Sequence, residues 1–104
     1  WNGSKAIEYF KGIQSYANGM HNISVNNTDN ALQDLNQLRK IKENLQNKSS
    51  KISADWYYKY AIKILAVNVQ ELEGLLFYKK GEIIKAISIL EKACIAEKEI
   101  GKII

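Results

Sequence analysis

No proline interrupts the 104 residues of this chain, and its six glycines stand well apart. Proline is the strongest helix breaker, because it lacks an amide donor and its ring clashes with the preceding turn. Without it helices can run for many turns. The apolar residues recur every three or four positions, the period of a helix face, rather than at the alternation of a strand. The expected fold class is therefore all-α. At this length one domain with one core, spanning residues 1–104, is expected. Hydrophobic residues at 46% and charged residues at 25% describe a globular chain rather than a disordered or fibrous one.

Four helices are legible. The first is expected from Ser4 to Asn18, capped by Ser4, with Ala6, Ile7, Phe10, Ile13 and Ala17 on an inward stripe and Gly19 just past its end as C-cap. Met20 to Thr28 is polar and aperiodic and reads as a loop. Asn27 or Thr28 then caps a second helix, whose core face is Ala31, Leu32, Leu35, Leu38, Ile41 and Leu45. After a polar break at Asn47–Lys51, Ser53 can cap a long third helix, with Asp55 in its first turn, ending near Lys80 at Gly81. It carries apolar surface enough for neighbours on two sides. A fourth helix, from Glu82 to about Gly101, presents Ile83, Ala86, Ile87, Leu90, Ala93 and Cys94 on one face, while Ile84, Ile89, Ile95 and Ile100 lie outside that stripe. A helix this broadly apolar is usually covered on more than one side.

The chemistry of catalysis is thinly represented. Cys94 is the single cysteine, so no internal disulfide and no cysteine metal knuckle can form, and its position suits inert core. His21 is the single histidine and lacks the companions of a metal site or a nucleophilic triad. Glu71 and Glu73 point about 200° apart on a helix, the wrong geometry for an acid–base pair. No phosphate-binding glycine loop occurs. The reading is non-catalytic, with no metal and no cofactor. Glycosylation sequons at Asn2, Asn22, Asn26 and Asn47 are the chance yield of an Asn-rich chain. The apolar runs are too short for the roughly 20 residues of a membrane span. The chain begins at Trp1 and reads as a fragment of a longer protein, soluble, and cytoplasmic or exported after processing.

Small residues then show a pattern. Gly74, Phe77, Gly81, Ala86, Leu90 and Ala93 fall at offsets 0, 3, 7, 12, 16 and 19, and small residues at such spacing let two antiparallel helices approach closely while Phe77 and Leu90 fill the gap. This resembles the tetratricopeptide repeat. A first hairpin follows the scheme with Gly12 in the place of Gly74, Gly19 at the turn, and Ala31, Leu35 and Leu38 after it. Gly12 and Ala31 lie 19 apart rather than 12, which implies a turn about seven residues longer. The arrangement is similar to the helical C-terminal segment of bacterial tetratricopeptide-repeat proteins of uncharacterised function. The resemblance implies two antiparallel hairpins stacked as a short right-handed array that scaffolds or binds a partner.

In such arrays the first helix of each pair lines the concave face, which implies Tyr9, Tyr16, Lys63, Asn68 and Gln70 as contact residues. Tyr58, in an aromatic cluster whose rings cannot all face one core, is a further interface candidate. Ile84, Ile89 and Ile100 could pair two copies into a homodimer. The expected partner is a protein, a peptide or a second copy. Nucleic acid or another anionic polymer, held by Lys79, Lys80 and Lys85, is the alternative suggested by the net charge of +4. It is disfavoured because Arg39 is the only arginine, and arginine's planar fork is the usual reader of phosphate and bases.

Overall fold

The computed structural model describes residues 3–49 and 56–103, with side chains over 7–48 and 59–102. Helices α1 (Gly3–Ser24), α2 (Thr28–Ser49), α3 (Trp56–Lys79) and α4 (Ile83–Ile103) form two antiparallel hairpins, α1 with α2 and α3 with α4. Helix α3 is the hub. It packs on α1, α2 and α4, whereas α4 makes no close backbone approach to α1 or α2 among the described residues. Ser4, Ser53, Asp55 and Tyr58, to which capping or contact roles were assigned, have side chains outside the described residues.

The two hairpin turns are built alike. Helix α1 runs through Gly19 as far as Ser24, so the expected loop of Met20–Thr28 shrinks to Val25–Asn27. The stop signal is Asn26, left-handed at φ 61°. Asn26 N–H donates to Ile23 O at 3.1 Å and Asn27 N–H to Asn22 O at 2.7 Å, closing a Schellman motif. At the end of α3 Gly81 takes φ 83°, with its N–H on Tyr78 O and Glu82 N–H on Phe77 O, both at 3.0 Å. Asparagine tolerates the left-handed region better than most residues that carry a side chain. Asn27 then opens α2, its carbonyl accepting from Ala31 N–H at 3.0 Å and its side-chain oxygen from Asn30 N–H at 3.4 Å.

These turns fix the internal register. Asn26 and Gly81 stand 55 residues apart, and the same offset pairs Ala31 with Ala86, Leu35 with Leu90 and Gly19 with Gly74. The counterpart of Gly74 is therefore Gly19 and not Gly12. Gly19 and Ala31 keep the 12-residue spacing of Gly74 and Ala86, and there is no insertion.

Glycine decides how α1 packs. A Cβ on Gly12 would stand 2.9 Å from Leu65 Cδ2 and 3.3 Å from Ile41 Cγ2, and one on Gly19 would stand 2.6 Å from Leu72 Cδ2. Two leucines seven apart on α3 thus fill two glycine notches seven apart on α1, and the matching order makes the helices parallel. The inward face of α1 is accordingly Gly12, Ser15, Gly19 and Ile23, flanked by Tyr9, Ile13, Tyr16 and Met20. Ile7 and Phe10, expected inside, are 58% and 66% exposed, and Ala17 is exposed too. Helix α2 contributes Ala31, Leu35, Leu38, Ile41 and Leu45 to the core, with Leu32 at its rim.

In the second hairpin a Cβ on Gly74 would meet Leu90 Cδ2 at 2.7 Å and the Ala86 carbonyl oxygen at 3.5 Å. Ala86 and Ala93 are buried against α3 and Leu90 is half-buried. Cys94 is exposed rather than in the core, as are Ile83 and Ile87, because among the described residues only α3 lies against α4. Ile89 and Ile100, placed outside the inward stripe, are half-buried, while Ile84 and Ile95 face outward.

Alanine at Gly19 and Gly101 should act in opposite directions. At Gly19 overpacking costs about 1–3 kcal/mol, of which alanine's better helix propensity offsets about 1 kcal/mol. At Gly101 a Cβ meets nothing within 4 Å, so Gly101→Ala should be neutral or gain up to about 1 kcal/mol. Urea unfolding midpoints of the two variants against the parent chain test the contrast.

Candidate functional site

Because α2 and α4 both lean on α3 without approaching each other, a surface groove opens between them. It consists of two adjoining depressions that share Glu73 and Phe77 of α3. One is lined by Leu32, Leu35 and Arg39 of α2 with Leu76 and Lys80, and the other by Ile84, Lys85, Ser88 and Ile89 of α4. Ile84 is 86% exposed, the most exposed large apolar side chain among the described residues. Polar groups are arranged along this apolar strip. The Arg39 guanidinium pairs with Glu73 across the α2–α3 seam, and Lys85 Nζ lies 5.7 Å from the Phe77 ring centroid and 3.3 Å from Glu82 Oε1. Such a surface suits an amphipathic segment that lays apolar side chains on Phe77 and Ile84.

The α1–α3 seam carries a different polar contact. Tyr16 Oη donates to Glu71 Oε2 at 2.5 Å. Burial above all, then that hydrogen bond and the negative charges of Glu71 and Glu97, hold the Tyr16 phenol well above its ordinary value. Burial, then Tyr60, raises Tyr9 as well. Both tyrosines pack against the core as half-buried side chains. Neighbouring acids on α3 thus serve different seams: Glu71 faces α1 and Glu73 faces α2.

The other residues named from sequence are dispersed. Lys63 is exposed, but Asn68 is 8% exposed and is removed from the contact set. Gln70 is half-buried, and its Oε1 is enclosed with no hydrogen-bond partner among the described residues. Lys79 donates to Asn26 Oδ1 at 3.0 Å and Lys85 is held by Glu82, so two of the three lysines of the anionic-polymer reading are engaged within the chain. His21 lines a polar depression with Asn18, Asn22, Asn30, Gln33 and Asp34, in which Asn22 Nδ2 donates to Asp34 Oδ2 at 2.7 Å. Among the described residues no three His, Cys, Asp or Glu side chains gather where they could hold a metal ion, and no helix is long and apolar enough to cross a membrane.

Leu32, Arg39 and Glu73 escaped sequence reasoning as site residues. Their association depends on the separation of α2 from α4, which no local pattern encodes. The available signal was the 55-residue offset, also carried by Trp1 with Trp56, Ala6 with Ala61 and Ile7 with Ile62. No family model, curated protein or solved structure matches this chain.

The Tyr16 contact has a pH signature. A phenol whose folded value is raised stabilises the fold below the unfolded value of about 10, and that stability is lost as pH climbs above it. Stability should therefore fall from about pH 10 upward, and Tyr16→Phe should make that fall less steep while costing about 1 kcal/mol at neutral pH. Unfolding midpoints measured through the alkaline range test this, and an unchanged slope refutes it.

Proposed function

We propose that this chain is a non-catalytic protein-interaction or scaffolding module of tetratricopeptide-like kind, taking a peptide or partner helix on its surface or associating with itself. The observation that carries the reading is the α2–α4 groove, where Ile84 and Phe77 offer apolar surface between charged rims. Apolar surface left in water beside ordered polar groups is the usual composition of a recognition site. Parallel packing of α1 and α3, with α3 touching both members of the first hairpin, supports the repeat-array reading. The particular turn-and-glycine scheme at Gly74, Phe77, Gly81 and Ala86 supports its tetratricopeptide form.

The test is capture from nuclease-treated lysate of the source cell, with the chain and its Ile84→Glu variant as parallel baits. A discrete protein retained at high salt by the parent chain and lost with Ile84→Glu is the expected result. Retention that needs nucleic acid and collapses as salt rises would instead favour lysine-mediated binding of an anionic polymer, because counterion release makes phosphate contacts steeply salt-dependent.

A further inference from the structure

Apolar side chains left in water gather at one end of the molecule. Because α1 and α3 run parallel, the α1–α2 and α3–α4 turns lie at the same end, and Lys79 Nζ, donating to Asn26 Oδ1 at 3.0 Å, ties one turn to the other. Nine large hydrophobic side chains are exposed among the described residues. Six of them, Val25, Leu32, Tyr78, Ile83, Ile84 and Ile87, belong to these two turns or to the helix ends beside them. The farthest from the turns, Leu32 and Ile87, lie four residues into α2 and α4, about 6 Å along the axis at about 1.5 Å per residue. The remaining three, Ile7, Phe10 and Ile95, lie well away from this end.

The arrangement is a cap and not a stripe. A partner helix reads apolar positions that recur along one face, whereas these six side chains come from α2, α3, α4 and a turn, and share a depth instead of a face. At the tip of the second hairpin the backbone is also closed on itself. Lys80 N–H donates to Leu76 O at 3.1 Å, and Gly81 and Glu82 N–H donate to Tyr78 O and Phe77 O, both at 3.0 Å. Backbone whose donors are satisfied internally can approach hydrocarbon at little cost.

Cations stand at the same depth. Lys79, Lys80 and Lys85 are exposed there, against the carboxylates of Glu82 and Asp29, and Lys85 lies 3.3 Å from Glu82. We infer that this end of the molecule, led by the tip of the second hairpin, docks on an anionic lipid surface. Tyr78, Ile83, Ile84 and Ile87 enter the boundary between headgroups and acyl chains, and the three lysines remain among the headgroups. The apolar depth of about 6 Å falls within the about 5–10 Å to which side chains of surface-bound helices sink. Lysine serves this purpose as well as arginine, since attraction to an anionic leaflet needs charge and not a planar fork. Its long stem also lets the ammonium stay in water while apolar neighbours go deeper. The attachment is peripheral and goes beyond the protein-interaction reading, with which it shares Ile84.

Co-sedimentation with vesicles of phosphatidylcholine alone, and of phosphatidylcholine mixed equally with phosphatidylglycerol, tests the proposal. The parent chain should pellet with the anionic vesicles, remain in solution with the neutral ones, and be released as salt rises. Lys80→Glu should weaken anionic-vesicle binding by about tenfold, and Ile83→Glu and Ile87→Glu by about tenfold or more each. Ile95→Glu, farther along α4, should bind as the parent does. All four positions are exposed, so the variants should keep the parent's helix content by circular dichroism. A parent chain that ignores the anionic vesicles, or pellets equally with both kinds, overturns the inference. Binding that falls with Lys80→Glu but is indifferent to both Ile83→Glu and Ile87→Glu overturns it too, because the lysines would then adsorb without insertion. So does an Ile95→Glu variant as impaired as Ile87→Glu, which would place the contact along α4 and not at its tip. A chain that ignores vesicles yet retains a protein through Ile84 defeats this inference and leaves the interaction reading standing.

Discussion

The contact between two glycines of α1 and two leucines of α3 is the constraint on which the architecture depends. Leu65 and Leu72 are fully buried where Gly12 and Gly19 lack side chains. Each glycine weakens its helix by about 1 kcal/mol relative to alanine, while full burial of each leucine contributes about 1.5–3 kcal/mol. The exchange favours the close approach. It also sets direction, since notches and knobs in the same order require parallel helices, and α3 can then lie in the furrow between α1 and α2.

Once α3 is seated, the rest of the molecule follows from what it leaves uncovered. Its opposite side takes α4 through Gly74, Ala86 and Leu90. Since α4 makes its close backbone approach to α3 alone among the described residues, much of its remaining circumference is exposed, and isoleucine occupies both flanks. One flank, with Ile84 and Ile89, forms a wall of the α2–α4 groove. The other carries Ile87. The two hairpins thus leave two kinds of apolar surface, one in the gap between α2 and α4 and one on the flank of α4 that carries Ile87.

Polar contacts index these seams rather than hold them together. Tyr16 with Glu71 marks the α1–α3 seam, Arg39 with Glu73 the α2–α3 seam, and Lys48 with Glu8 at 2.6 Å the first hairpin. Exposed ion pairs contribute on the order of 0–1 kcal/mol each, much less than the buried leucines. Their effect is register, because a one-turn slip of α3 would separate both Glu71 and Glu73 from their partners.

Helix number and most helix boundaries were legible in the sequence, because proline absence, apolar spacing and turn residues act within a few positions of one another. Gly81 as the stop of α3, Asn27 as the cap of α2 and the buried face of α2 are of this local kind. The buried face of α1 was not legible. Its apolar stripe of Ile7 and Phe10 points outward, and the inward one is glycine, serine and tyrosine, since close approach of a neighbour substitutes that neighbour's side chains for its own. The first hairpin's register was misread for a related reason: Asn26 adopts the left-handed conformation that Gly19 seemed suited to supply. The groove and the exposed flank of α4 were decided by tertiary structure alone, because they are defined by which helices fail to meet. The sequence by itself determined four helices and the turn at Gly81, through interactions closed within a turn of chain. Only packing determined which faces became core and which remained surface, because a side chain's burial depends on the neighbour that covers it.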